Sequence, residues 1–380
     1  AVSFGKASEH LQALADLDIK SERIRRATLR NGKLRCELRK LLEEAFLAKS
    51  IPEQLHGGPA EKEAPPMAVV MSDGGKYQLF DRKPGGESSD AHWGESRIAT
   101  LLSMTSQQHS SDPQVELPDF LQDVSIAQKL AEIGRITGEN PSDDDSSGKQ
   151  QQAPWLRPEM LGKEVIASGK SWEQFGPMVA SAAWYQGFAK ATVKVFVSDG
   201  SHAIEKMQQR WFSDYSSVLD IMHALSYALA AARAVHDDQA EAWACYRQLA
   251  TWIWQGKVDQ AICELDRWQE RLGQAPAEAS DSDPREIVRR SRVYYRNHRK
   301  RMDYPEYRRL GYPLSSAIME STVKQINHRV KGTEKFWSTE GGEAILSLRG
   351  DYLSSTRPLD AYWDQITANA SGQRTYSLSG

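Results

Sequence analysis

The sequence has few cysteines and no long apolar run, and both shortages narrow the classes of protein to which it can belong. Its three cysteines are far apart and form no Cys-x-x-Cys pair, so neither a disulfide framework nor a zinc ribbon is indicated. No apolar stretch approaches the roughly 20 residues that a membrane span needs, and the N-terminus does not resemble a signal peptide. We therefore expect an intracellular, cytoplasmic protein without a membrane-spanning segment.

The chain also lacks a large excess of charge of either sign, since its formal net charge is −3 over 380 residues. The charge is nonetheless segregated. Residues 20–40 hold nine Lys/Arg against two Asp/Glu and residues 285–335 hold fourteen against five, whereas acids cluster in "NPSDDDSSG" at 140–148. The distribution of charge matters more than its sum for nucleic-acid binding. Two basic segments therefore keep DNA as a candidate partner.

The N-terminal segment predicts two helices. A first helix breaks at Asp18, and a second can begin at Ser21, which is a good N-cap residue. Two helices with a short break, of which the second is basic, are typical of helix-turn-helix DNA-binding segments. A solvated pair of basic helices explains the pattern equally well. The candidate DNA-binding residues here are Arg25, Arg26 and Arg30.

The next segment predicts the beginning of a sheet. "MAVVMSDGGKYQLFDR" (67–82) predicts a strand, a turn at Asp73-Gly74-Gly75 and a second strand, and residues 95–103 predict a third. Residues 104–172 are polar and irregular around one predicted helix at about 120–137, and we interpret them as an insertion outside the core motif. This interpretation leaves the sheet to be completed by later residues.

Strand alternation returns at Val193, Val195 and Val197, and this run ends at Asp199-Gly200 before a predicted helix. A strand, a turn and a helix in this order are typical of a parallel pair. Another short strand and helix follow within 216–234, and residues 236–303 predict helices alone, broken near 273–284. A final helix is predicted from about Ser315 to Lys331.

Three carboxylates stand at positions that favour metal binding. Asp73 and Asp199 are predicted to end strands at glycine turns, and ligands of open α/β sheets bind at that edge. Glu320, near the start of the final helix, could complete an oxygen cluster suited to Mg²⁺ or Mn²⁺. Each residue alone has a simpler explanation, because Asp-Gly is a common turn former and a glutamate on a helix is commonly solvated.

The final helix is amphipathic in an unusual way. At 100° per residue, one stripe is apolar, and Glu320 lies in a second stripe about 100° around the helix axis from it. The second stripe is rich in Lys and Asn, so we expect the metal ligand to lie beside phosphate-binding groups. The candidate DNA-binding residues of this region are Lys324, Asn327, Arg329, Lys331, Lys335 and Trp337.

Two further patterns have competing explanations. Asp220 and His223 share a helix face at i and i+3; His223 could contact a scissile phosphate, or the pair could be a capping aspartate and a packing histidine. "REIVRRSRVYYRNHRKR" (285–301) interleaves Arg with Tyr294 and Tyr295. This pattern suits a DNA-facing surface, and it suits a solvated basic helix as well.

Several of these motifs resemble those of DDE-type transposases of bacterial insertion sequences, in the branch with a long helical insertion before the final glutamate. The most specific segment is "GYPLSSAIMESTVKQINHRVKGTEKFWSTEGGEAILSLRGDYLS" (311–354), which is similar to the C-terminal signature of that family. "SDG" (72–74) and "VSDGSHAI" (197–204) are similar to its two aspartate motifs, and "LDIMH" (219–223) to its Asp-x-x-His. One departure is the turn before Glu320, which is Gly-rich in the family and Ser-Ser-Ala here.

The resemblance implies an α/β, RNase H-like fold, in which a mixed five-stranded sheet is flanked by helices and its first and fourth strands are neighbours. It assigns Asp73, Asp199 and Glu320 as catalytic ligands of Mg²⁺ or Mn²⁺, with two ions expected, and His223 as a further catalytic candidate. The implied reaction is metal-dependent cleavage of transposon-end DNA to free a 3′-OH, which is then transferred to target DNA. The implied partners are double-stranded DNA and a second copy of the chain, in a homodimer or higher oligomer.

The expected organisation follows from these patterns. It comprises a helical, helix-turn-helix-like DNA-binding segment (1–50), a linker (51–66), the first part of the core (67–223, with the insertion at 104–172), an all-α insertion (224–303), the C-terminal part of the core with Glu320 (304–365) and a tail (366–380). Two alternatives remain open: a catalytically inactive, domesticated transposase that only binds DNA, and an RNase H-like nuclease such as a resolvase.

Overall fold

The protein has an α/β architecture in which helices flank a mixed, open, six-stranded sheet. The computed structural model describes residues 3–81, 91–135, 158–332 and 335–368. The strand order is β3-β2-β1-β4-β5, and β6 pairs with the far end of β1. The strands are β1 (Met67–Leu79), β2 (His92–Met104), β3 (Met160–Ser168), β4 (Val193–Ser198), β5 (Ser216–Leu219) and β6 (Phe336–Trp337).

The predicted hairpin at 67–82 is wrong, because β1 runs without interruption through Asp73. Gly74 and Gly75 are paired in register with β2, on the antiparallel side of the strand. A Cβ at Gly75 would lie only 2.8 Å from Ser96 Oγ and 2.9 Å from Asn327 Oδ1. Glycine is therefore needed here for the close approach of two neighbouring side chains rather than for a turn.

The strand count and one strand were also mispredicted. The sheet has six strands instead of five, because β6 adds two residues to β1. Residues 160–168 form β3 within the segment that was interpreted as an irregular insertion, and the register pairs this strand with β2 over most of its length. The last four residues of β3 are buried, whereas its first two residues are exposed. Burial therefore does not alternate along this strand.

The neighbouring first and fourth strands were predicted correctly. β1 and β4 are parallel and pair from Met67 with Val193 to Met71 with Val197. Their apolar side chains alternate between two buried clusters, one on each face of the sheet. Val69 and Val195 belong to the first cluster, and Val70 and Phe196 to the second. This alternation is what a sheet covered by helices on both faces requires.

The helices cover both faces of the sheet and form the predicted helical region at 236–303. α5 packs against α8, so part of the segment at 104–172 belongs to the core. No helix of the described residues is long and apolar enough to cross a membrane. The helices are α1 (Phe4–Ala15), α2 (Ser21–Leu47), α3 (Ile51–His56), α4 (Asp119–Gln122), α5 (Ile126–Arg135), α6 (Trp172–Tyr185), α7 (His202–Trp211), α8 (Ile221–Val235), α9 (Gln239–Trp254), α10 (Val258–Leu272), α11 (Pro284–His298), α12 (Tyr304–Arg309), α13 (Ala317–Val330), α14 (Thr339–Leu353) and α15 (Pro358–Ala368).

A buried ion cluster fixes the N-terminal helix α2 to α14. The carboxylate of Asp351 has no exposed side-chain surface, and it accepts hydrogen bonds from Arg35 at 2.7 Å and from Arg39 at 2.5 Å. Gly32 of the same helix approaches so closely that a Cβ would lie 2.6 Å from the carbonyl oxygen of Ala344. The predicted basic helix is thus real, but two of its arginines are used to hold it against the core.

We predict that Asp351→Ala destabilises the protein by about 3–5 kcal/mol, because it leaves two largely buried guanidinium groups without their carboxylate. Glu340→Ala is the matched control, since Glu340 also lies on α14 and pairs with α2, through Lys33, but both side chains are exposed. Denaturant-induced unfolding should detect a large loss for the first variant and little change for the second. Equal losses in the two variants would contradict the role of the buried cluster.

Candidate metal centre

Asp73 and Asp199 lie opposite each other across the parallel pair β1–β4. The register pairs Met71 with Val197, and continuing it by two residues on each strand places the two aspartates level. Each carboxylate accepts a hydrogen bond from a nearby backbone amide: Asp73 from Gly74 at 2.6 Å, and Asp199 from Ser201 at 2.9 Å. The two strands therefore bring together two acids that are 126 residues apart in the sequence.

Glu320 lies in the first turn of α13, and its charge acts on Asp73. This helix packs against β1, and its buried residues include Met319, Ile326 and Val330. The predicted apolar stripe is therefore the packing face, with Val323 partly buried against the same cluster. Glu320 lies at the boundary of that face, as the stripe pattern predicted.

Asp220 connects the two helices on which His223 and Glu320 lie. One oxygen accepts from the backbone amide of Met222 at 2.7 Å and caps α8. The other oxygen accepts from both the amide, at 2.9 Å, and the hydroxyl of Ser316, the residue that begins α13. The serine turn that departs from the resembled family thus supplies two donors to a fully buried carboxylate, and the capping role of Asp220 is confirmed.

His223 lies among the acids, in the first turn of α8. Burial alone would lower its pKa, but the surrounding carboxylates outweigh burial and raise it. An imidazolium at this position offsets part of the negative charge of the site. The carboxylates that raise its pKa are those of Asp220, Asp199, Asp73 and Glu320.

The pKa values of the acids reflect burial and mutual repulsion. Burial and then the neighbouring Asp199 carboxylate raise the pKa of Asp73 to about 6. Burial and then the Asp220 carboxylate raise the pKa of Glu320. Carboxylates that repel one another in a partly buried cleft are common at functional sites, although ion networks of purely structural importance can show the same shifts.

The side chains can hold a metal ion. The ligand atoms of Asp220, His223 and Glu320 lie within 4.8 Å of one another. Of the predicted metal ligands, this group contains Glu320 but neither Asp73 nor Asp199, and it adds Asp220 and His223. A buried oxygen of Glu320, Oε1, has no hydrogen-bond donor among the described residues. An unpartnered buried carboxylate oxygen fits a hard cation such as Mg²⁺ or Mn²⁺.

Lys129 is a residue near the site that the sequence did not single out. It lies on α5, whose apolar residues Ala127, Leu130 and Ile133 are buried. Its charge offsets part of the rise in the pKa of Glu320 that burial and Asp220 cause. The spacing of the apolar residues of α5 could have predicted a packed helix. Nothing local in the sequence indicates that its lysine lies beside an acid 191 residues away.

The candidate DNA-binding residues at and after the final helix differ in their exposure and contacts. Lys324 is exposed beside Glu320, and Lys335 donates to the carbonyl oxygen of His328 at 2.9 Å. Trp337 is only 9% exposed and donates from its indole nitrogen to Val330. The guanidinium of Arg329 lies over the rings of Phe4 and Trp337. Trp337 therefore belongs to the hydrophobic core, and its contact with DNA remains a prediction.

The arginines of the basic segment at 285–301 are paired with acids. Each of them forms an ion pair, whereas Lys300 is exposed and Tyr295 is buried. Contact of this segment with DNA remains a prediction. The pairs are Arg285–Asp283, Arg289–Glu286, Arg290–Asp281, Arg292 and Arg296 with Asp266, Arg299–Asp259 and Arg301–Glu205.

The other predicted DNA-binding residues lie on α2 and at α13, and they differ in exposure. On α2, Arg25 and Arg26 both pair with Glu22, whereas Arg30 is exposed on the outer side of the helix. On α13, Asn327 packs against Gly75, and Lys331 is half-buried directly after the helix ends. Their contact with DNA remains a prediction.

No protein-family model matches this chain, and no curated protein is significantly similar to it. The function must therefore be argued from the residues and their geometry.

We predict that Asp73→Asn raises the melting temperature by a few degrees in metal-free buffer at pH 8. A carboxyl whose pKa is raised on folding, here to about 6 from 3.8, destabilises the native state once the pH exceeds its unfolded value, and fully above about 6. The gain should therefore shrink as the pH falls from 6 towards 4. Thermal unfolding across this pH range tests the prediction, and a lower melting temperature at pH 8 would contradict it.

We also predict that Ser316→Ala costs about 1–3 kcal/mol, because it leaves the buried Asp220 carboxylate with one donor fewer. Ser321→Ala is the matched control, since Ser321 lies on the same helix but is exposed, and its loss should stay within about 0.5 kcal/mol. Urea unfolding measures both. If the two variants are equally stable, the Asp220–Ser316 contact does not hold the start of α13.

Proposed function

We propose that this protein is a DDE-type transposase, an enzyme that cleaves transposon-end DNA in a metal-dependent reaction and transfers the freed 3′-OH to target DNA. The observation that carries the proposal is the convergence of three carboxylates from distant parts of the sequence. Asp73 on β1 and Asp199 after β4 lie level with each other, and Glu320 on α13 interacts electrostatically with Asp73. The motifs around these residues are the ones that resemble the family.

The sheet supports an RNase H-like core. In the order β3-β2-β1-β4-β5, β2 runs opposite to the other four strands, so the sheet is mixed. The resemblance implies a mixed sheet in which the first and fourth strands are neighbours, as β1 and β4 are. β4 stops where β1 continues, so the edge of β1 beyond Met71 is open to side chains of α13. The helical region of α9 to α11 lies between β5 and α13 in the chain, where the family carries its insertion.

Asp73, Asp199 and Glu320 would hold Mg²⁺ or Mn²⁺, and two ions are proposed. Two such ions clamp the attacking and leaving oxygens of an in-line phosphoryl displacement. Asp220 is less suited to be a ligand, because both of its oxygens already accept hydrogen bonds. It holds the first turns of α8 and α13 in place, and so sets the positions of His223 and Glu320.

Positive side chains surround the acids on the side of α5 and α13. Lys129 and Lys324 both act electrostatically on Glu320, and His223 lies among the carboxylates. These groups can neutralise the phosphates of a DNA strand that enters the site. We further propose double-stranded DNA as the partner, a homodimer or higher oligomer as the assembly that joins two ends, and the cytoplasm as the compartment.

The test is a strand-cleavage assay with Mn²⁺ on DNA that carries the terminal repeats flanking the coding sequence. We expect Asp73→Ala, Asp199→Ala and Glu320→Ala each to lower cleavage by at least about 10³-fold, since each removes a proposed ligand, and to leave DNA binding nearly unchanged. Asp214→Ala is the control, because Asp214 lies outside the cluster and pairs with Lys194. Cleavage that survives in a triad variant would contradict the role of that residue.

The choice of DNA separates the proposal from its alternatives. A transposase needs specific ends and yields a 3′-OH that is joined to a second duplex. Cleavage of branched DNA without specific ends would instead indicate a resolvase-like nuclease. Binding to the repeats without cleavage by the unaltered protein would indicate a domesticated, inactive form.

A further inference from the structure

One face of α11 and the turn after it contacts three consecutive residues of the loop that carries Asp199. The hydroxyl of Tyr294 donates to the carbonyl oxygen of Asp199 at 2.7 Å. The ring of His298 lies against Gly200, where a Cβ would be 2.8 Å from Nε2. Arg301 donates to the hydroxyl of Ser198 at 2.6 Å. The spacing 294, 298 and 301 is that of one helical face.

The loop itself depends on these contacts. Gly200 has a φ of 88°, a conformation that glycine adopts without strain, and the Asp199 carboxylate accepts only the Ser201 amide from within the loop. The carbonyl oxygen of Asp199 accepts the hydrogen bond from Tyr294 of α11. The position of this oxygen fixes the plane of the peptide that follows the Cα atom of Asp199. It therefore restricts where the Asp199 side chain can lie.

Contacts with neighbouring aromatic rings hold the side chain of Tyr294 in place. Its ring stacks on that of Tyr227, with centroids 3.9 Å apart and an interplanar angle of 15°, and it meets the ring of His298 edge-on at 4.7 Å. The neighbouring Tyr295 fixes α11 to α8, since its hydroxyl donates to the carbonyl oxygen of Ala224 at 2.7 Å. The donor that reaches Asp199 is thus attached to a helix packed against the core.

We infer that Tyr294 is a positioning residue of the metal centre: the helical region between β5 and α13 orients the Asp199 carboxylate through the hydroxyl of Tyr294. This inference rests on the proposed function, in which Asp199 is a metal ligand. By this inference, the helical insertion contributes to the chemistry of the site through Tyr294. Partners that orient a metal ligand commonly contribute 10- to 100-fold to metal affinity.

Tyr294→Phe tests the inference, because it removes the hydroxyl and keeps the stacked ring. We expect the dissociation constant for Mn²⁺, measured by calorimetric titration of the purified protein, to rise by roughly 10- to 100-fold. Tyr295→Phe is the matched control: it removes a buried hydroxyl from the adjacent residue with the same bond length to a backbone carbonyl. The control should lower the melting temperature to a similar degree and leave the Mn²⁺ affinity unchanged.

The outcomes separate the inference from the proposed function. Equal Mn²⁺ affinity in Tyr294→Phe and the unaltered protein overturns the inference. An equal loss of affinity in both variants also overturns it, because the effect would then be one of general stability. If the unaltered protein binds Mn²⁺ and Tyr294→Phe weakens binding, but no DNA is cleaved, the inference stands and the proposed activity fails. An unaltered protein that binds no Mn²⁺ overturns both.

Discussion

The repulsion among the partly buried carboxylates of Asp73, Asp199 and Glu320 is the constraint that the rest of the site has to offset. Parallel pairing of β1 with β4 brings Asp73 and Asp199 level, and α13 adds Glu320 to the same cleft. Burial and neighbouring charge raise the pKa of Asp73 to about 6, so the fold carries an energetic cost at this point. Sites of this kind persist when the surrounding structure holds them in place, and that cost is commonly linked to function.

The surrounding elements offset the repulsion among the carboxylates in different ways. His223 supplies a positive charge among the acids, and Asp220 ties the starts of α8 and α13 together through Ser316. On the other side, Tyr294 holds the backbone of Asp199 from a helix that lies outside the sheet. The acids are thus in contact with three parts of the structure: the sheet, the α8–α13 contact and α11. A cation bound among them, as we propose, would replace the mutual repulsion with attraction.

The sequence predicted those parts of the site that local patterns determine. The alternation in β4 followed by Asp199-Gly200, the amphipathic α13 and the capping Asp220 each depend on neighbours in the chain. The turn at Asp73 was mispredicted because Asp-Gly-Gly is a turn former locally, whereas pairing with β2 and the approach of Asn327 decide the backbone here. β3 was missed because burial does not alternate along it: its first two residues are exposed and its last four are all buried. The contact of Tyr294 with Asp199 spans 95 residues, and no local pattern encodes it.

We propose that Asp73, Asp199 and Glu320 together form a cation site. An anomalous difference map from crystals of the protein equilibrated with Mn²⁺ tests this most directly. We expect manganese peaks coordinated by carboxylate oxygens of all three residues, beside β1 beyond the end of β4. No peak at saturating Mn²⁺, or a single peak held by Asp220, His223 and Glu320 without either aspartate, would contradict it.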